Sequence, residues 1–314
     1  MIVCVSANPA IDKRVRLPKL ALGKVNRVSH VRAAAGGKAA HVAMALRALG
    51  GAPRWLGFAG GASGQELLVG FQELGISTIP VQMKNATRIN LEIIDESGTA
   101  TEILEPGPAI SAQQCRAFES ACETIFREAG PNLLAVFSGS LPPRAPSEFY
   151  ASLIGLAHRF GGKAFLDTSG EPLKTALAAG PDFVKPNREE AEWLLGISIS
   201  DTKSAVAAIA KLAAAGAKSA AISLGPDGLV WKPQQCHSVL HALPVKVDAR
   251  SSVGSGDATV AGFAFALQEG LAPEDSLKLA AACGAANCLA DLPGQLNASE
   301  VRRLRELVKI EVVL

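Results

Sequence analysis

From about residue 131 onward, short apolar runs alternate with helix-like stretches, and this rhythm limits the possible folds more than any other feature of the chain. Leu133 to Phe137 is followed by a helical pattern near 146–160, then by the apolar runs Ala164-Phe165-Leu166-Asp167 and Phe183-Val184. Helices are expected from Glu189 to Leu195 and over about 203–215. Ala220-Ala221-Ile222-Ser223-Leu224 reads as another strand, and a long helix starts near Asp257. Such a βα succession predicts an α/β fold, a mostly parallel sheet covered by helices on both faces. Met1 to Val5 reads as the first strand, ending in Ser6-Ala7-Asn8-Pro9.

Two segments depart from this rhythm. Residues 14–35 contain the alternating Val25-Asn26-Arg27-Val28-Ser29-His30-Val31, and in 88–104 Ile89, Leu91 and Ile93 alternate with polar neighbours. Alternation of this kind predicts antiparallel strands with one wet face, and Asp95-Glu96-Ser97-Gly98 supplies the turn of a hairpin. The two segments are expected to form a small accessory sheet, either a lid or a dimer surface. With no linker, repeat or low-complexity tract, residues 1–314 read as one domain carrying these insertions.

Composition narrows the functional classes. Of 314 residues, 48% are apolar and 19% charged, enough to bury a sizeable core. Lys and Arg number 31 against 29 Asp and Glu with no basic run, so a nucleic-acid partner is not expected. No segment approaches ~18 uninterrupted strongly apolar residues, and the first apolar run is too short for a signal peptide. A cytoplasmic protein without a membrane partner is the expectation. Six cysteines without C-x-x-C pairs should be reduced and mostly buried, and five histidines show no ligand spacing.

The chemistry concentrates at glycine-rich junctions. In Ser252-Val253-Gly254-Ser255-Gly256-Asp257 the small residues directly precede a helix, where free N–H groups and the helix dipole suit a phosphate. Asp257, held at that end, could accept a hydroxyl proton; it could equally be a capping carboxylate beside a glycine turn. Gly36-Gly37-Lys38-Ala39-Ala40-His41 also opens a helix; its amides suit sugar hydroxyls and Lys38 an anion, or it is a tight turn with a solvated lysine. Lys185-Pro186-Asn187-Arg188-Glu189-Glu190 follows a strand at its carboxyl end. There Asn187 and Glu190 could hold hydrated Mg²⁺ or form a capping box. Ser223 to Gly228 reads by itself only as a turn. A G-x-x-x-x-G-K-[ST] phosphate loop is absent.

In their order, these segments resemble the phosphofructokinase B family of ribokinase-like sugar kinases over nearly the whole chain. The matching features are Asn8-Pro9-Ala10-Ile11-Asp12, Gly36-Gly37-Lys38, Thr87-Arg88-Ile89-Asn90-Leu91, Ser138-Gly139-Ser140-Leu141-Pro142 and Asp167-Thr168-Ser169-Gly170-Glu171, with the Lys185, Ser223 and Val253 segments following. The nearest resemblance is to kinases of phosphorylated ketohexoses: 1-phosphofructokinase, the minor 6-phosphofructokinase and tagatose-6-phosphate kinase. It implies a three-layer ribokinase-like fold with a small antiparallel β lid, ATP and Mg²⁺ as cofactors, and Asp257 as base with Gly254, Ser255 and Gly256 as its anion hole. Sugar or sugar-phosphate contacts would come from Asp12, Lys24, Gly36, Gly37, Lys38, His41, Arg88 and Ser138. Lys185, Asn187, Ser223, Gly225, Gly228 and Asn287 would contact the nucleotide, and Asn187 and Glu190 the metal.

One departure is specific. Where these relatives usually carry Gly-Gly-Lys-Gly-x-Asn, this chain has Gly-Gly-Lys-Ala-Ala-His, so His41 replaces a sugar-contacting asparagine. His41 is therefore expected at the sugar site, with binding sensitive to pH near ~6.5 if its imidazole titrates normally, or else it is a helix-face histidine packed beneath the lid. A homodimer through the lid is the expected assembly. A kinase for an unphosphorylated sugar or nucleoside, and a non-catalytic sugar-phosphate sensor on the same fold, remain alternatives at this point.

Overall fold

The structure, a computed structural model, describes residues 1–234 and 236–314. The chain opens with β1 (Ile2–Ser6), β2 (Ala10–Leu17), β3 (His30–Gly36), α1 (Lys38–Ala48), β4 (Arg54–Gly60), α2 (Gly61–Glu73), β5 (Ser77–Met83), β6 (Arg88–Asp95) and β7 (Ala100–Leu104). The expected alternation follows: α3 (Ala112–Ala129), β8 (Leu134–Ser138), α4 (Phe149–Arg159), β9 (Lys163–Asp167), α5 (Gly170–Leu177), β10 (Phe183–Val184), α6 (Arg188–Leu195), α7 (Thr202–Ala214) and β11 (Ala220–Ser223). It closes with β12 (Leu229–Lys232), β13 (Leu240–Ala242), α8 (Ser255–Gln268), α9 (Pro273–Asn287), α10 (Ala298–Leu307) and β14 (Ile310–Val312).

Among the described residues, ten strands form one sheet in the order β14-β13-β12-β11-β10-β9-β8-β1-β4-β5. Pairing is parallel from β11 across to β5 and antiparallel from β11 to β14. β1 shows why the strands read as unbroken apolar runs. Ile2 and Cys4 pack on one face with residues of α1, α8 and α9, while Val3 and Val5 pack on the other with α3, α4 and α7. Both faces exclude water, so no polar alternation is needed. The expected three layers are present, and the strand ends Ser138, Asp167 and Val184 lie at one edge where a ligand can sit.

The second sheet runs β3-β2-β6-β7. β2–β3 and β6–β7 are antiparallel, as expected, and a parallel β2–β6 pairing joins them. The Asp95–Gly98 turn closes β6 onto β7, with the Gly98 amide donating to the Asp95 carbonyl. The boundaries differ from the sequence expectation in two places. β2 starts at Ala10, which puts Asp12 inside the lid. Residues 25–29 form no strand, because the β2–β3 register ends at Arg16 opposite His30 and leaves them no ladder partner. Asn26 instead folds its loop back, bonding through its carboxamide to both the amide and the carbonyl of Ala21.

The register assigns opposite characters to the two lid faces. Asp12, Arg14, Asn90, Glu92 and Glu102 pair across the strands on the face turned to the main sheet. Val15, Leu17 and Ile93 form a small cluster on the other face, joined by Leu91. Beside it Val31 is 54% and Ile103 55% exposed. The four buried cysteines and the two partly buried ones are all free thiols.

Candidate active site

Between the lid and the strand ends lies a cleft of about 510 Å³. It is lined by Asp12, Gly37, Lys38, His41, Arg88, Lys185, Asn187, Glu190, Ser223, Gly254, Gly256 and Asp257. These twelve of the expected site residues thus meet at one place, although they span most of the chain.

Asp257 sits in the first turn of α8, which begins after Gly254 at φ 81°. A side chain at Gly254 would be strained by that angle and would press on Pro293, with a Cβ only 2.6 Å from the proline Cβ. The turn therefore needs glycine. It leaves the amides of Gly256 and Asp257 without a protein acceptor among the described residues, as helix starts do. The buried Lys185 ammonium lies over Gly256. Open amides, a helix N-terminus and a lysine together form a site for an anion.

A second cation stands beside it. Lys38 Nζ is 3.4 Å from Asp167 Oδ2 and 3.7 Å from Glu190 Oε1. Burial works against its charge, but Asp167, Asp257 and Glu190 outweigh that and raise its pKa above the usual lysine value. Burial likewise pushes the Asp167 carboxyl up, and Lys38 and Lys185 reverse the effect and hold it below the usual carboxylate range.

Asp12 lies against β3 because residue 36 is glycine; a Cβ there would be 2.3 Å from its carboxyl carbon. Its Oδ1 accepts from Asn90 Nδ2 at 2.9 Å and its Oδ2 from the Gly37 amide at 3.2 Å. His41 completes the group. Nε2 is 2.6 Å from Asp12 Oδ2 and Nδ1 is 2.7 Å from Asp257 Oδ2. A neutral imidazole has one N–H, so a ring donating to two carboxylates carries both protons. Burial alone would lower the pKa of His41, but the two carboxylates take it up to about 10. His41 is at the cleft as expected, but the expected sensitivity near pH 6.5 is not: the imidazole stays charged well above that pH.

Other expected residues are placed differently. The Ser255 amide is taken by the Ser252 carbonyl and its hydroxyl faces Cys288 Sγ, so the open amides are those of Gly256 and Asp257. Ser138 is buried behind the cleft against Asp167, and Gly139 and Ser140 take its place in the lining. Asn287 spends its side chain on the Val253 carbonyl and the Gly294 amide, bracing the glycine turn instead of facing the cleft. Lys24 is on the exposed 18–29 loop, outside the lining, because that loop turns back on itself at Asn26. Gly225 and Gly228 flank a 3₁₀ turn past the cleft end marked by Ser223. Asn187 and Glu190 form the capping box of α6. Arg88 lines the cleft, and its guanidinium is anchored on the carbonyls of Glu105 and Asn8.

Some lining residues had not been anticipated: Asn90, Glu92 and Glu102, together with Arg14. A signal for the first two was present, since Arg88, Asn90 and Glu92 share the two-residue period of one strand face. Arg14 pairs with Glu92 at 2.7 Å and also donates to the Asp291 carbonyl, while Ser251 donates to Glu92 at 2.8 Å. The lid is thereby fastened to the loop that precedes Gly254.

An anion site beside a carboxylate, under a lid able to hold a polyol, is the arrangement needed to move a phosphoryl group onto a hydroxyl. The family described as pfkB family carbohydrate kinase matches residues 2–295. The chain is 33% identical over 313 residues to a tagatose-6-phosphate kinase of Staphylococcus epidermidis, covering 99% of each. It is 36% identical over 272 residues to a 1-phosphofructokinase of Xanthomonas campestris pv. campestris, covering 84% of this chain and 83% of the other. Phosphofructokinase-2 from Escherichia coli, solved in complex with fructose-6-phosphate, superposes with a TM-score of 0.88 at 27% identity over 98% of both chains. The chain belongs to the pfkB family of carbohydrate kinases, and is thus an ATP-dependent kinase of the ribokinase-like fold.

Proposed function

We propose that this kinase transfers the γ-phosphate of ATP to a hydroxyl of a ketohexose phosphate, with Asp257 as the base. The observation that carries the reading is the juxtaposition of the Asp257 carboxylate with the open amides at the start of α8, in a cleft that also presents Lys38, Arg88 and Lys185. The substrate hydroxyl attacks phosphorus in line, the bond to ADP breaks, and the hydroxyl proton passes to Asp257. Gly256, Asp257 and Lys185 stabilise the charge on the transferred group, and Arg88 and Lys38 hold anionic oxygens. Asp12 and Asn90 bind sugar hydroxyls from the lid. Ser223 marks the end of the cleft into which the nucleotide extends, with Gly225 and Gly228 shaping the turn behind it.

The residues suit a hydrated Mg²⁺. Asn187 Oδ1 and Glu190 Oε2 are used within the capping box, which leaves Glu190 Oε1, 3.7 Å from Lys38 Nζ, as the carboxylate oxygen turned to the cleft. One carboxylate oxygen plus phosphate oxygens and water is the usual Mg²⁺ environment in kinases. Bound there, the ion would neutralise phosphate charge as the transfer proceeds.

The chain works as one kinase unit with the lid inserted, as a cytoplasmic homodimer. The reading as a dimer is supported by the exposed apolar side chains of the outer lid face, and the location by the free thiols. The function is tested by ATP consumption with fructose 6-phosphate, fructose 1-phosphate and tagatose 6-phosphate beside fructose, ribose and adenosine. Turnover confined to one or more phosphosugars is expected. Turnover of only the unphosphorylated compounds, or phosphosugar binding without ATP consumption, would overturn it.

A further inference from the structure

The first turn of α1 holds, at position 41, a cation shared by two carboxylates. His41 is 5% exposed and lies between Asp12 Oδ2 and Asp257 Oδ2, at 2.6 and 2.7 Å. Its backbone is pinned against residue 294, where a Cβ would be 2.7 Å from the His41 Cα, so the chain that carries the ring has little room to withdraw. Asp257 Oδ1 accepts no hydrogen bond from any described residue, and it is the oxygen left for substrate. Rotation of the carboxylate would break the bond from Nδ1.

We propose that His41, donating from both ring nitrogens, is a positioning residue that holds the base Asp257 in one orientation and couples it to Asp12 on the lid. This rests on the reading of Asp257 as the base. Hydroxyl-binding and proton-accepting carboxylates become one unit: seating the sugar on the lid sets the attitude of the base. The proton of the attacking hydroxyl goes to Asp257 Oδ1, while the two ring protons stay on His41. An asparagine side chain has no charge, and both its N–H donors sit on one nitrogen, whereas an imidazolium presents one on each of two ring nitrogens.

The charged groups facing His41 are Asp12 from β2, Asp257 from α8 and Glu102 from β7. Arg88 faces Asp12 from β6. On its own helix, Lys38 is engaged with Asp167 and Glu190. Glu92 is engaged with Arg14, and Lys185 lies near Asp167. His41 is therefore the cation in direct contact with both carboxylates. Burial pushes Asp12 up, and the His41 charge and hydrogen bond, with those from Asn90 and Gly37, hold it below the usual carboxylate range. Without the imidazolium, burial acts on it with less opposition. The acid limb of activity should then move to higher pH.

The test compares wild type, His41→Asn, His41→Gln and Asp257→Asn, using ATP and whichever of the three ketohexose phosphates is turned over fastest. Both His41 variants should lose roughly 10²-fold in kcat, the scale of a misaligned reacting group, with KM for the phosphosugar changed less than kcat. The acid limb of kcat/KM should rise. Wild-type kcat and an unshifted pH profile in a His41 variant, with Asp257→Asn inactive, would overturn the role of His41 and leave the base intact. An active Asp257→Asn would instead remove the base reading itself. If neither His41 variant folds, histidine ¹⁵N NMR of the wild type decides: at least one of the five imidazoles must remain doubly protonated at pH 8.5, and finding none rejects the proposal.

Discussion

Each site residue combines a chain-local reason for its position with a reason that comes only from its neighbours. Asp257 is at a helix start because of the glycines before it, and the role proposed for it rests on the cleft it faces. Asp257→Asn keeps the shape and loses the basic oxygen, so kcat should fall about 10²–10⁴-fold while phosphosugar and ATP still bind by calorimetry. A wild-type kcat would exclude it as the base. Arg88 differs, since two backbone carbonyls already orient its guanidinium and the preorganised fork suits a phosphate. Arg88→Ala is expected to raise KM for phosphosugars far more than for any unphosphorylated sugar that is turned over. Equal effects on both would reject a phosphate contact.

Among the elements, α8 and the turn that opens it carry the largest share of the proposed chemistry. Asn287, expected to contact the nucleotide, instead ties Val253 to Gly294 and so braces this turn from α9. Gly254→Ala places a Cβ against Pro293 at a positive φ, which costs about 1–3 kcal/mol of strain unless the turn moves. Melting temperature and kcat should fall together, because moving the turn displaces both the open amides and Asp257. Unchanged melting temperature and kcat in the Gly254→Ala variant would show that the turn tolerates a side chain. The lid strands illustrate what alternation reveals. It marked 88–104 correctly, since Arg88, Asn90 and Glu92 face the cleft while Leu91 and Ile93 face outward. For 25–29 it misled, because alternating residues without a partner strand form no ladder.

For the whole molecule, the unresolved demand is the outer lid face. Val31 and Ile103 lie beside the Val15, Leu17 and Ile93 cluster and stay largely exposed in a single chain. A small sheet of this kind gains stability by covering its apolar face. Light scattering at micromolar concentration should give about twice the 32.4 kDa chain mass, and Val31→Asp with Ile103→Asp should halve it and lower activity. A monomeric wild type with undiminished activity would rule the dimer out.

The amino-acid order by itself determined the three-layer sheet and the helix start at Asp257. Burial of both sheet faces imprints continuous apolar runs on strands such as Leu134–Ser138 and Lys163–Asp167, and helix starts are built from adjacent residues. Only the tertiary structure decided which polar groups meet. His41 is separated from Asp12 by 29 positions and from Asp257 by 216, and Glu92 from Ser251 by 159. No periodicity encodes such pairs. They form because parallel strands deliver distant chain segments to a common edge, and a buried cation there requires carboxylates to accept its protons.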